Sequence, residues 1–186
     1  MKAATAPNHQ RIREVVKSPA VSAVAAALAR QVAVQVDRIA PDLAGFRRHL
    51  HQHPELSGAE FATTGYLAKR LSVAKISYRP GTGKKGIITG LVPASGASAP
   101  AIALRADIDA LPITEENRIA YRSRNHGVMH ACGHDAHSAI LLGTTIALHR
   151  AGPLPVAWRS IFQPAEETGC GASQRMWILP GPMACP

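Results

Sequence analysis

The chain has 186 residues, of which 46% are apolar, so it can bury a core and is not a disordered polymer. Aromatic residues make up only 4%, which leaves the core to Ala, Leu, Ile and Val. The net charge of +9 arises entirely in the first hundred residues, where the basic side chains are scattered and not interleaved with aromatics; this reads as a solvated surface and speaks against a nucleic-acid or membrane site.

Residues 1–18 read as a polar lead, and a helix is expected over Val21–Val36. Its Ala-rich start, Ala20–Ala29, faintly resembles a signal peptide but is weakly apolar, and is read as an extra N-terminal helix or a misassigned start. Pro41-Asp42 opens a second helix with Leu43, Phe46 and Leu50 on one face, ended by Pro54. Ser57 followed by Glu60 has the spacing of a capping box, and Phe61, Thr64, Leu67 and Leu71 recur at helical spacing after it. Ile76–Tyr78 and Ile87–Val92 then read as short strands around Gly81-Thr82-Gly83. A Pro/Gly/Ser/Ala loop covers residues 93–100, and Ala101–Ala106 is an apolar strand ending at Asp107. Asp135 is placed to cap a helix whose buried face would hold Ile140, Thr144, Ala147 and Leu148. Val156–Phe162 is a last strand. Helices alternating with strands predict an α/β domain, helices packed on a mixed sheet. No apolar run approaches the ~18 residues of a membrane span. Cys132, Cys170 and Cys185 are odd in number and irregularly spaced, which suggests no disulfide framework and fits a cytoplasmic setting.

Chemistry-bearing residues gather at the ends of the expected strands. Asp107 and Asp109 follow one, Glu166 and Glu167 follow another, and His130-Ala131-Cys132-Gly133-His134-Asp135 lies between. Ligands of open α/β sheets bind beyond the carboxyl ends of the strands, so these clusters can converge. A thiolate and an imidazole suit zinc or a similar ion. Cys-x-His alone equally describes a buried Cys beside a surface His, and Glu-Glu alone the solvated start of a helix. Together they supply metal ligands and a carboxylate to act on water.

Four motifs resemble the hippurate hydrolase family of N-acyl-amino-acid amidohydrolases, which includes auxin-conjugate hydrolases. They are Phe46 to Ser57 (FRRHLHQHPELS), Leu104 to Pro112 (LRADIDALP), Met129 to His137 (MHACGHDAH) and Phe162 to Glu167 (FQPAEE), in the family's order over residues 38–172. The resemblance implies that Cys132, His134 and Glu167 ligate a divalent metal (Zn, Mn, Co or Ni), that Glu166 is the general base, and that Asp109, and less directly Asp107, hold a ligand or the base in position. His49, His51, His53 and His137 are expected in structural or supporting roles. The implied substrate is an N-acyl or N-aroyl amino acid such as hippurate, with no nucleic acid or membrane as partner; full-length members are expected to be homo-oligomers, an assembly not expected to form normally from this chain.

Family members are considerably longer, with a lid or dimerisation domain and further histidine ligands downstream. Here the last histidine is His149, and three prolines and a glycine in Pro180–Pro186 replace the expected helix. The expected organisation is an extension over 1–37, a partial catalytic domain over 38–172 and an aberrant tail over 173–186, as an early stop or frameshift near residue 172 would produce. Three functions follow: an amidohydrolase impaired by truncation, a non-catalytic remnant that binds metal or a partner, and a basic interaction module.

Overall fold

A computed structural model describes residues 19–89, 101–152, 154 and 156–169; the expected polar lead, the 93–100 loop, Cys170, Cys185 and the tail lie outside the described residues. The elements are α1 (Pro19–Gln52), α2 (Phe61–Val73), β1 (Tyr78–Pro80), a 3₁₀ turn (Thr82–Lys84), β2 (Ile87–Thr89), β3 (Ala101–Asp107), α3 (His134–Arg150) and β4 (Ala157–Gln163). They form a mixed α/β domain. The sheet has the order β1-β2-β4-β3, with β1/β2 and β2/β4 antiparallel and β3/β4 parallel. Parallel strands need a long crossover, and the chain supplies it through the loop after β3 and helix α3.

The two helices expected before residue 54 are one 34-residue helix that contains Pro41 and crosses the expected boundary at residue 37 unbroken. Pro41 removes one N–H, yet its neighbours at helical spacing, Ile39, Phe46 and Leu50, are buried in the core. Tertiary burial outweighs one lost hydrogen bond. Phe46 also stacks on Tyr66 of α2 at 5.3 Å between ring centroids.

The expected capping box does not form: Glu60 holds the N-cap position of α2 without a side-chain cap bond. Glu55 satisfies that helix end instead, its carboxylate accepting from the N–H groups of Ala62 and Thr63 at 3.0 and 2.7 Å. The buried face expected for α3 is corrected in part: Ala147 is buried as expected, but Thr144 and Leu148 are only half-buried. Ile140 is 65% exposed, while Leu141, Leu142, Ile146 and Ala147 are buried against α1 and the sheet. Asp135 is no cap either, because Gly133 at φ +86° holds the N-cap position and Asp135 lies buried inside α3.

Among the described residues no helix is long and apolar enough to cross a membrane.

Candidate metal centre

In the parallel pair, Asp107 at the end of β3 lies opposite Gln163 at the end of β4. The two carboxylate-bearing turns therefore leave the sheet at the same level. The left-handed backbone of Gly133, which a side chain would strain, turns the preceding loop into α3 and delivers His134 to that level.

Asp109 is buried and organises the centre. Its Oδ2 accepts from the Ser57 hydroxyl at 2.7 Å and from the Glu167 N–H at 3.0 Å. His134 Nδ1 lies 3.0 Å from the Asp109 carbonyl oxygen, its hydrogen-bond partner, and 3.2 Å from Asp109 Oδ1, within ion-pair distance. That fixes the ring so that Nε2 faces Glu167 Oε1 at 3.8 Å and Glu166 Oε2 at 4.0 Å. Burial pushes the Asp109 carboxyl up, but the hydrogen bonds from His134, Ser57 and the Glu167 amide outweigh it and hold it below its ordinary value. The same bond to Asp109 raises His134 to about 9 against the cost of its burial.

The ligand atoms of Cys132, His134 and Glu167 all lie within 4.8 Å of one another. Cys132 is exposed, and its thiol is pushed up by desolvation and then by the Glu167 carboxylate. Two acids crowding a thiol and an imidazole is an arrangement that a divalent cation relieves, and thiolate, imidazole and carboxylate are a donor set for such an ion. Asp107, His134 and Glu166 form a second such triad sharing His134. Asp107 is otherwise paired with Arg105 at 2.8 Å. His137 is exposed, with its ring centroid 5.9 Å from that of His134.

Behind the centre lies a buried polar layer. His51 offers Nδ1 to Asp135 Oδ2 at 2.9 Å and Nε2 to Glu115 Oε1 at 3.1 Å, and Arg47 Nε donates to the same Asp135 oxygen at 3.1 Å. The supporting role expected of His51 thus has a geometry: it joins α1, the loop after β3 and the start of α3. The His49 ring lies 4.7 Å from that of His53, tilted by 46°, and 4.0 Å from that of Tyr66. His130 is buried, with neither ring nitrogen hydrogen-bonded among the described residues, and burial lowers it to about 4.

Three supporting residues carried other readings in the sequence or none. Ser57 and Glu60 read as a cap, and Glu115 carried no reading. Glu60 is fully buried and binds the N–H of Ala165, next to the Glu-Glu pair, at 2.7 Å. A signal was available, since Ser57 closes the first motif and Glu60 lies three residues beyond it.

Residues 103–182 match the model of peptidase family M20/M25/M40. The chain is 47% identical over 142 residues, 76% of its length, to an N-acetyl-L-cysteine deacetylase of Bacillus subtilis, and 46% identical over 140 residues to a probable hydrolase of Synechocystis. These matches cover 34% and 35% of the relatives, so the chain spans about a third of the curated proteins it resembles. Among solved structures it superposes on a dinuclear metal-binding peptidase of the M20 family from Bacillus subtilis with a TM-score of 0.67 and 41% identity, covering 73% of this chain and 38% of that one. A putative aminohydrolase from methicillin-resistant Staphylococcus aureus gives a TM-score of 0.65 at 36% identity, over 73% of this chain and 36% of that one.

Proposed function

We infer that this chain is part of a hydrolase of peptidase family M20/M25/M40, and from that premise propose that the whole protein hydrolyses the amide bond of N-acyl amino acids. The observation that carries this is the convergence of Cys132, His134 and Glu167 within 4.8 Å, with Glu166 alongside. In this reading those three residues hold a divalent ion (Zn, Mn, Co or Ni), which when bound supplies Lewis acidity toward a carbonyl and makes water easier to deprotonate. Glu166, more exposed than its neighbour, takes the proton from the attacking water and returns it to the leaving amine. Asp109 keeps the His134 ring turned so that Nε2 faces the ligand cluster, and through the Glu167 amide holds that carboxylate beside it.

The substrate class rests on the hippurate-hydrolase-like motifs and on the deacetylase relative, whose named substrate is itself an N-acylated amino acid. Hippurate and N-acetylcysteine are therefore the first compounds to assay with the full-length protein.

The ligand set is tested by titrating zinc into the wild-type chain and into Cys132→Ala. We expect the variant to bind more weakly by at least the roughly 10- to 100-fold that losing a ligand's supporting partner costs. Equal affinity in the two proteins would remove Cys132 from the site.

A further inference from the structure

We propose that Glu60 is a positioning residue for the Glu166–Glu167 pair: its buried carboxyl grips the backbone of Ala165 and so sets the direction in which the two acids leave the sheet. This rests on the proposed ligand set and adds to it a residue outside the four motifs.

Glu60 is 0% exposed. Its Oε1 accepts from Gly58 N–H at 2.9 Å and Ala165 N–H at 2.7 Å, while Oε2 has no hydrogen-bond partner among the described residues. A buried carboxyl with a bare oxygen is costly, and burial raises its pKa accordingly. Packing alone would favour an apolar side chain here. Capping α2 is not its task, since Glu55 does that.

Ala165, the residue it binds, has φ +53°. A non-glycine residue in this left-handed region is disfavoured by about 1–2 kcal/mol and relaxes unless held. The turn is held at two amides: Ala165 N–H by Glu60 and Glu167 N–H by Asp109. Glu166 sits between them, and its carbonyl accepts from Gly169 N–H at 2.8 Å to close the turn. Releasing the first clamp lets Ala165 return to negative φ, which swings both carboxylates away from His134.

The test compares wild type, Glu60→Met and Glu60→Gln. Methionine fills similar space without an acceptor; glutamine keeps the accepting oxygen. Amide hydrogen exchange at Ala165 and a cobalt(II) titration followed by visible absorbance are the readouts, with protection in α3 as the control for folding. In Glu60→Met we expect Ala165 N–H to lose its protection, cobalt affinity to fall about 10- to 100-fold, and the thiolate–cobalt absorption of Cys132 to change. Glu60→Gln should stay within a few-fold of wild type. Adding Ala165→Gly to Glu60→Met should recover part of the affinity, because glycine keeps the left-handed turn accessible without the clamp.

Retained Ala165 protection and wild-type cobalt behaviour in Glu60→Met would overturn the proposal, as would Glu60→Gln losing affinity as fully as Glu60→Met. If wild type and Cys132→Ala bind cobalt equally, the ligand reading fails by itself, and exchange at Ala165 still decides the role of Glu60.

Discussion

Asp109 gathers a hydroxyl, a backbone amide and an imidazole from three separate segments around one buried carboxyl. Such a group is not free to react, whereas the proposed base, Glu166, has a carboxylate open to solvent. In the full-length protein we expect Glu166→Gln to bind metal within about twofold of wild type and to lose about 10² to 10⁴ in turnover, measured as kcat at saturating substrate with the metal content checked. A variant that keeps full rate with metal bound would refute the assignment. His130 gives a pH dependence of stability. Burial, partly opposed by Asp135, lowers its pKa from about 6.5 to about 4 in the folded state. Between these values the unfolded chain takes up a proton that the folded chain refuses. The stabilisation from His130 is complete above pH 6.5 and is lost as pH falls toward 4. Urea midpoints measured from pH 7.5 to 4.5 should fall more steeply for wild type than for His130→Gln; parallel curves would show that His130 is not the group responsible.

Along α1 and α3 two glycines make opposite demands. A Cβ at Gly45 meets nothing within 4 Å, whereas one at Gly143 runs into Leu43 Cδ1 where the helices cross. Gly45→Ala should therefore stabilise by about 0.5–1 kcal/mol through helix propensity. Gly143→Ala should cost about 1–3 kcal/mol through overpacking, lessened to the extent that the Leu43 side chain rotates. Thermal unfolding of both variants checks the pair of signs. Elements were legible in the sequence where a period met a clear boundary: β3 and β4 lie within a residue or two of expectation, and α2 starts at Phe61. They were not where the deciding contact is remote. In α3, Ala, Leu and Ile fall on all sides of the helix, so spacing alone could not say that Leu142 faces the core and Ile140 the solvent. At Ser57 and Glu60 the local spacing of a cap coincides with that of two residues whose partners lie 52 and 105 positions away. Cys132, His134 and Glu167 were legible as a candidate cluster because type and order group them, and their ligand atoms do lie within 4.8 Å of one another. Asp109 was read as a supporting residue from its motif, whereas the parts played by Ser57, Glu60 and Glu115 were missed because contacts to remote segments leave no local pattern.

At the scale of the molecule, β3 lies at the end of the sheet order among the described residues, with Ile102 on it 53% exposed. An edge strand carrying an exposed aliphatic side chain is a template for pairing with another chain. We expect the 186-residue chain to self-associate in sedimentation velocity, and Ile102→Lys to reduce the heavier species at equal concentration; an unchanged distribution would exonerate this edge. The tie between Glu60 and Ala165 spans 105 residues of chain. Closing a flexible loop of that length carries an entropic cost of roughly 4 kcal/mol, far beyond what one hydrogen bond returns. The contact therefore exists only because pairing of β4 with β2 and β3 has already brought the two segments together. The ligand cluster in this sense depends on the sheet, since Glu167 follows β4 while His134 opens α3. No local fragment can display it, and its appearance reports that β4 has joined the sheet in register.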